Sequence, residues 1–233
     1  MGLGVVIPAG GQGTRFGGPL PKQFLEVRPG RPLLRYALDT FHGLKEVEAI
    51  ALVLPPERLE AWRNLLEMFP KLRLAPGGPD RWVSVRNGFE ALPEVCDSIL
   101  IHDAARPFVP RSVIRRCEQA LKTGKAVTAA LPASDTVKEV EGDKVKGTLE
   151  RSRLVLTQTP QGFPRAMLKG LYAHPFPENG RPTDEAQIAE AAGFPVVWVN
   201  GSPMARKITD PEDWEWAEWV AERLELGEIT LDD

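Results

Sequence analysis

A glycine-rich segment near the start of the chain has the composition of a phosphate-binding loop. The segment PAGGQGTRFGGPLPKQF begins at Pro8 and carries the cations Arg15 and Lys22. Because glycine has no side chain, the backbone N–H groups of such a loop can approach a phosphate closely. The two cations would strengthen that attraction, so the segment predicts a triphosphate cradle. The alternative is an ordinary turn with both cations exposed to solvent.

A carboxylate and a second lysine follow at later positions. Asp103 ends the apolar run SILIHD, where an unpaired carboxylate is expensive to bury. A hard oxygen ligand suits Mg²⁺, which proteins usually hold through one or two carboxylates and the phosphates of the substrate. Asp103 is therefore a candidate metal ligand, although an ion pair with Arg106 would also explain it. Lys207 lies in a predicted short strand at 206–208, where it either faces the site or is an ordinary edge-strand lysine.

The overall composition excludes several classes of protein. The 233 residues carry 29 Lys and Arg against 32 Asp and Glu, a formal charge of -3. Without a positive excess, neither nucleic acid nor an anionic membrane is an expected partner. No apolar run reaches the roughly 18 residues of a membrane helix, and residues 1–8 are too short for a signal-peptide core. Only 2 cysteines and 3 histidines argue against a disulfide scaffold or a multi-histidine metal site and fit a reducing cytoplasm.

The elements that must position these residues alternate between strand and helix. Apolar runs predict strands at 3–8, 47–54, 72–75, 98–103 and 195–199. Helical spacing of apolar residues predicts helices at 32–44, 56–69, 81–92, 110–122, 165–172, 184–192 and 214–226. This alternation predicts an α/β fold, with one Rossmann-like domain over 1–233 and a mostly parallel sheet covered by helices on both faces. Ligands of such sheets bind at the carboxyl ends of the strands, where the polar motifs fall.

Residues 126–163 interrupt the alternation, since they contain strand runs and turn signals but no helical stripe. We expect a β-hairpin from 136–140 and 144–149, within an arm that spans about 133–153. A hairpin alone is marginal in water, and docking on a second subunit would cover it. We therefore interpret the arm as a dimerisation element of a homodimer; a solvated excursion is the alternative.

Five motifs taken together resemble one family of nucleotidyltransferases. They are G-x-G-T-R followed by P-K-Q, then HDAARPFV at 102–109, TQTPQGF at 157–163, PTDEA at 182–186 and ARKIT at 205–209. In this order they are similar to the 2-C-methyl-D-erythritol 4-phosphate cytidylyltransferase family, from Pro8 to about Trp214. The chain departs from that family at Gly10, where many members have alanine; a residue of this size leaves the loop intact.

The resemblance implies transfer of a cytidylyl group from CTP to methylerythritol 4-phosphate, with release of pyrophosphate and with Mg²⁺ as cofactor. A phosphate oxygen of the acceptor would attack the α-phosphorus directly and in line with the leaving group. Because both reactants are anions, such catalysis rests on positioning and electrostatic stabilisation rather than on a protein nucleophile.

The resemblance also implies a role for each site residue. The triphosphate and the charge that develops at the α-phosphate would be held by Arg15, Lys22 and Lys207, and the metal by Asp103. CTP would be bound by small residues and one serine, namely Pro8, Ala9, Gly10, Gly11, Gly13, Gly77, Gly78, Ser84 and Ala104. The acceptor would be bound by Arg106, Arg151, Thr159, Thr183 and Asp184. Of these, Arg151 is expected to reach the site of a neighbouring subunit, while Asp184 can equally be only a helix cap.

Three other functions stay open at this point. Ribitol 5-phosphate cytidylyltransferase shares the CTP machinery and differs on the acceptor side. An NAD-binding Rossmann oxidoreductase is disfavoured because Phe16 replaces the third glycine of G-x-G-x-x-G and no acidic residue closes the second strand at 54–56. A non-catalytic nucleotide sensor is disfavoured because all four charged residues assigned to the triphosphate and metal are present.

Overall fold

The computed structural model describes residues 2–11, 16, 20–173 and 182–232 of the chain. Within these residues the strands are β1 (Gly2–Pro8), β2 (Glu26–Arg28), β3 (Arg31–Pro32), β4 (Val47–Leu54), β5 (Leu72–Pro76), β6 (Cys96–Ile101), β7 (Ala126–Pro132), β8 (Lys138–Glu141), β9 (Lys144–Thr148), β10 (Val155–Pro164) and β11 (Val196–Asn200). The α-helices are α1 (Leu33–His42), α2 (Leu65–Met68), α3 (Arg81–Ala91), α4 (Arg111–Leu121), α5 (Arg165–Tyr172), α6 (Glu185–Ala191) and α7 (Pro211–Glu225).

Seven of the described strands form one sheet, in the order β11-β7-β10-β6-β1-β4-β5. All neighbouring pairs are parallel except those of β10, which runs antiparallel to both β6 and β7. The chain leaves β1 towards β4 and β5 and then returns to its other side as β6. In sheets of this kind the crevice for a ligand opens where the strand order reverses, here at the carboxyl ends of β1 and β6.

The apolar residues of β1 explain why helices cover both faces of the sheet. Successive strand residues point to opposite faces, so Val5 and Ile7 pack with α1, α2 and α4, whereas Val6 packs with α3, α5 and α6. On α4, the buried residues Val113, Ile114, Cys117 and Leu121 recur at helical spacing and form the face that meets the sheet. The predicted α/β fold with a two-sided, mostly parallel sheet is confirmed.

The last helix closes one end of the molecule over a separate apolar cluster. Asp210 caps α7 by accepting a hydrogen bond from the backbone N–H of Asp213, and Pro211 occupies the first turn. The Trp214 ring packs against Phe16 in a tilted arrangement, with centroids 5.4 Å apart. This contact joins the helix to the glycine-rich segment between β1 and the short turn at 22–24. Among the described residues, no helix combines the length and the apolar composition needed to cross a membrane.

Two predicted elements are wrong. The predicted helix at 56–69 is broken into two 3-10 turns and the four-residue α2, because the turns bury no side chain that would support a continuous helix. The predicted strand at 206–208 does not join the sheet. Instead, the Ile208 N–H donates to the carbonyl of Ala105 at 2.8 Å, which ties this segment to the loop after β6.

The predicted hairpin is present, with slightly different bounds. Strands β8 and β9 pair antiparallel around Gly142, whose φ of 60° is a left-handed conformation that glycine adopts without strain. Val140 and Val145 face each other across the pair and are 60% and 62% exposed. The hairpin thus presents an apolar surface outside the sheet.

Candidate active site

A cleft of about 590 Å³ opens at the carboxyl ends of β1, β5 and β6. Its walls come from the loop after β1, the start of α3, the loop after β6 and the segment before α7. The lining residues are Pro8, Ala9, Gly10, Gly11, Lys22, Gln23, Gly78, Pro79, Asp80, Arg81, Ser84, Asp103, Ala104, Ala105 and Lys207. The edge of the sheet at which the sequence predicts a ligand is therefore the edge that carries the cleft.

The glycine-rich loop is held open by a buried glutamine. The side-chain amide of Gln23 donates to the carbonyls of Ala9 and Gly11, both at 2.7 Å. A Cβ added at Gly10 or Gly11 would meet no described atom within 4 Å, so the backbone there is accessible to a ligand. Lys22 lies beside this loop and is only 8% exposed. The predicted site residues Gly13 and Arg15 lie outside the described residues.

The wall opposite the glycine-rich loop is built by the start of α3. Asp80 caps this helix through a 2.9 Å bond from the Val83 N–H. The hydroxyl of Ser84 accepts the N–H of Gly78 at 3.0 Å and donates to the carbonyl of Asp80 at 2.8 Å. A Cβ at Gly78 would collide with the side chain of Val83, so only glycine allows this close approach. Gly77 lies one residue before the cleft lining, and its N–H donates to the carbonyl of Leu54.

Asp80 and Asp103 both line the cleft, and Asp103 is the carboxylate that three cations surround. The Lys207 ammonium lies 2.9 Å from its Oδ2, while the guanidinium groups of Arg81 and Arg106 lie 3.6 Å away. Burial alone would raise the pKa of Asp103, but Lys207, Arg81 and Arg106 together hold that pKa well below its usual range. The side chain is therefore ionised at neutral pH and available to a cation.

Arg106 lies behind Asp103 and is absent from the lining of the cleft. Its Nη1 donates to the carbonyl of Ala205 at 2.9 Å and its Nη2 to that of Thr157 at 3.4 Å. Its Nε is buried with no hydrogen-bond partner among the described residues. Burial lowers the pKa of Arg106, and the nearby Asp103 opposes that change. The geometry fits the ion pair with Asp103 that the sequence left as an alternative.

A neutral histidine supports the backbone of Asp103 through Thr159. His102 is fully buried, and its Nε2 lies 2.9 Å from the carbonyl of Arg106. A carbonyl only accepts, so Nε2 carries the proton, and Nδ1 accepts from the Thr159 hydroxyl at 3.0 Å. The same hydroxyl accepts the N–H of Asp103 at 3.1 Å. Burial lowers the pKa of His102 to about 4, which keeps the ring neutral near pH 7.

The remaining residues assigned to the acceptor lie away from the cleft lining. Asp184 accepts from the Gln187 N–H and from the Gln161 side chain, both at 2.9 Å, so it caps α6. Thr183 is exposed and bonded to the side chain of Gln187. Arg151 is exposed, donates to the carbonyl of Ser134 at 2.7 Å and lines a hollow at the base of the hairpin. Within one copy of the chain, these side chains do not meet at the glycine-rich loop.

Three side chains of the site were not predicted from the sequence, namely Gln23, Arg81 and Glu185. Gln23 is part of the quoted P-K-Q motif, and a buried amide beside a glycine-rich loop would have been a usable signal. Arg81 and Glu185 form an ion pair between the start of α3 and the start of α6, at 2.5 Å. They stand 104 positions apart, and no local pattern marks such a pair.

The sheet order, the open glycine-rich backbone and the cationic cleft at the point of strand reversal define an α/β nucleotide-binding protein. Cations next to the ionised carboxylate of Asp103 suit a polyphosphate and a hard cation rather than a protein nucleophile.

Comparison with known proteins narrows this class. The family model of 2-C-methyl-D-erythritol 4-phosphate cytidylyltransferase (IspD) matches residues 3–223, and the chain belongs to this family. A relative of that name from Nocardia farcinica is 40% identical over 94% of this chain and 93% of its own length. A crystal structure of the enzyme of the same name from Thermus thermophilus has a TM-score of 0.77 and 33% identity, covering 95% of this chain and 100% of that one.

Some relatives are longer. The bifunctional enzyme IspD/IspF from Solidesulfovibrio magneticus is 46% identical over 91% of this chain, but the match covers 56% of that protein. The chain thus spans about half the length of that relative. The family membership favours neither the ribitol phosphate enzyme nor an NAD-binding oxidoreductase.

Proposed function

We propose that the protein joins CTP and 2-C-methyl-D-erythritol 4-phosphate to give 4-diphosphocytidyl-2-C-methyl-D-erythritol and pyrophosphate, a step of isoprenoid precursor biosynthesis. The observation that carries the proposal is the meeting of Lys22, Lys207 and Asp103 with the open glycine-rich backbone in one cleft. Family membership supports the choice of substrates. The two free, buried cysteines Cys96 and Cys117 agree with a cytoplasmic setting.

The cleft divides into a part for the base and a part for the phosphates. Gly78 and Ser84 lie on the wall formed by the start of α3, and we place the pyrimidine between this wall and Gly10. The triphosphate then extends along the glycine-rich loop towards Lys22 and Lys207. Backbone N–H groups and lysines at fixed positions stabilise the charge that develops on the α-phosphate and on the leaving pyrophosphate.

The reaction needs no covalent intermediate with the protein. The acceptor phosphate oxygen attacks the α-phosphorus, the bond to the bridging oxygen of the pyrophosphate breaks, and both charges stay on phosphate groups. Lys207 is the lysine of the cleft that pairs with Asp103, so we assign it to the α-phosphate and Lys22 to the glycine-loop side of the triphosphate. Holding the two anions in line is the main contribution of these residues.

Asp103 fits a role in holding Mg²⁺. Among the described residues, no group of three or more carboxylate, histidine or cysteine side chains is placed to hold a metal ion alone. The ionised carboxylate of Asp103 is the kind of protein ligand expected for an ion whose other ligands are phosphate oxygens and water. When bound, Mg²⁺ would neutralise charge on the triphosphate.

The acceptor part of the site is proposed to be shared between two copies of the chain. Arg151 lies at the base of the hairpin, and the exposed Val140 and Val145 give that hairpin an apolar surface. Docking of the hairpin on a second copy would bury this surface and carry Arg151 towards the partner's cleft. A guanidinium suits bidentate recognition of the acceptor phosphate, and Thr159, Thr183 and Asp184 would complete the acceptor side.

Pyrophosphate release tests the proposal directly. The protein is incubated with Mg²⁺ and each of CTP, ATP, GTP and UTP, with and without methylerythritol 4-phosphate. We expect release only with CTP and the acceptor together. Ribitol 5-phosphate serves as the competing acceptor, and turnover of that compound alone would overturn the assignment. Tight NADH binding without CTP binding would overturn the class of enzyme.

A further inference from the structure

A buried carboxylate outside the lining of the cleft controls the surroundings of Asp103. Glu185 is 1% exposed, and its ion-pair partner among the described residues is Arg81. The other end of the same guanidinium lies 3.6 Å from Oδ1 of Asp103. Arg81 is therefore shared between two carboxylates, one in the cleft and one behind it.

The position of Glu185 is rigid. It begins α6, whose preceding residue Asp184 caps the helix and accepts from the Gln161 amide at 2.9 Å. The carbonyl end of the same amide accepts the Ala186 N–H at 3.2 Å. Gln161 itself is fully buried in β10. Glu185 is thus anchored to the sheet through the two residues that flank it.

Because Arg81 lies between Glu185 and Asp103, a change at Glu185 would affect Asp103 in the cleft. A guanidinium that faces two buried carboxylates is drawn to both, and Glu185 holds it in direct contact while Asp103 stays beyond hydrogen-bond distance. If the charge of Glu185 were lost, Arg81 would close on Asp103 and occupy an oxygen that a bound cation needs. Burial raises the pKa of Glu185, which the Arg81 guanidinium opposes.

We propose that Glu185 is a positioning residue, which holds Arg81 away from Asp103 and so keeps that carboxylate available to the divalent cation that enters with the nucleotide. This inference rests on the proposed function, because it assigns a purpose to Asp103 in that reaction. Neither Glu185 nor Arg81 needs to touch the acceptor for the effect.

The test compares E185Q, R81Q and the double variant with the wild type. In E185Q the Mg²⁺ concentration for half-maximal turnover should rise about tenfold, because Arg81 then competes for Asp103, while turnover at saturating Mg²⁺ changes little. The double variant should return to near the wild-type requirement, since it has no guanidinium to close on Asp103. A displaced α6 would leave the double variant as impaired as E185Q, and that result would overturn the proposal.

Binding supplies a readout that does not depend on turnover. Free Mn²⁺ is counted by electron paramagnetic resonance as it is titrated into each protein with CTP present, and E185Q should bind it about tenfold more weakly. E94Q is the matched control, because Glu94 pairs with Arg165 at 3.2 Å and neither residue lines the cleft. If E185Q fails to fold by circular dichroism, E185M, which also removes the charge, replaces it, and an unchanged Mn²⁺ affinity there overturns the inference. A wild type that binds no Mn²⁺ with CTP would instead count against the proposed function.

Discussion

Lys207 and Asp103 pair with each other across the cleft, with Nζ 2.9 Å from Oδ2. The lysine is 43% exposed at its side chain and the carboxylate 14%, so the pair lies at the mouth of the cleft. In the proposed reaction the two groups serve different partners, the α-phosphate and a divalent cation. Substrate binding therefore exchanges one internal ion pair for two new contacts.

The first prediction concerns the two lysines of the cleft. K22A and K207A should each lower turnover by about 100-fold or more, because each removes a cation from the charge that develops in the transition state. The measurement is pyrophosphate release, with circular dichroism to verify the fold. K169A removes an exposed lysine of α5 and is the control, with turnover unchanged. Near-normal turnover in both cleft variants would remove these lysines from the mechanism.

The ion pair itself leads to a second prediction. In D103N the carboxylate no longer holds Lys207, so CTP should bind about tenfold more tightly than to the wild type when no divalent cation is present. Turnover with Mg²⁺ should nevertheless fall by about 100-fold, since the acidic oxygen is lost. Isothermal titration calorimetry with EDTA present measures the first effect. Equal or weaker CTP binding by D103N would show that the pair does not restrain Lys207.

Local sequence patterns are sufficient to predict the parts of the site that directly follow a single strand. The glycine-rich loop follows β1 and Asp103 follows β6, and buried strands of this type are recognisable from their apolar runs. The strand predicted at Lys207 is wrong because long-range contacts fix this segment, among them the hydrogen bonds from Ile208 to Ala105 and from Arg106 to Ala205, and such bonds have no sequence pattern.

Long-range contacts account for the other differences. The sequence predicts Asp184 either as an acceptor ligand or as a helix cap; its Oδ1 takes the cap bond from the Gln187 N–H, while the Gln161 side chain donates to Oδ2. Gln161 lies 23 positions away and is brought there only by the sheet. The antiparallel pairing of β10 with β6 could not be predicted from the sequence either, because strand direction depends on the connection and not on the composition of the strand.

The third prediction tests the shared acceptor site. R151A and K207A should each be nearly inactive as homodimers, yet a mixture of the two should regain about one quarter of wild-type activity after subunit exchange. Half of the dimers then contain both variants, and in each of these one of the two sites has Arg151 and Lys207 intact. No recovery on mixing would place Arg151 in its own subunit's site or outside the reaction.

The shared acceptor site requires the protein to form a dimer, and dimer formation is tested separately. V140D and V145D place charges on the exposed hairpin surface and should convert the dimer to monomer in sedimentation equilibrium. Their matched control is K144A, which alters a polar position of the same hairpin and should leave the mass unchanged. A wild type that is monomeric at micromolar concentration would contradict the composite site.

The fourth prediction concerns pH and the buried His102. Its folded-state pKa of about 4 lies below the ordinary value of 6.5, so between these values the unfolded chain binds a proton that the folded protein does not. Stability therefore falls as the pH is lowered from 6.5 to about 4, by about 3 kcal/mol, and is unaffected by this group below that window. H102Q has no such proton to bind and should lose about 3 kcal/mol less over the same interval.

Urea unfolding at half-unit steps of pH measures this difference. H42Q is the control, because His42 lies on α1, packs against Phe69 and leaves the His102 contribution in place. The two profiles of wild type and H102Q would run parallel if His102 were already charged in the folded protein. A charged ring could not accept the Thr159 hydroxyl at Nδ1, and that hydroxyl holds the backbone N–H of Asp103. Cation binding at Asp103 in the presence of CTP should therefore persist while the folded ring is neutral and weaken only as the pH falls through about 4.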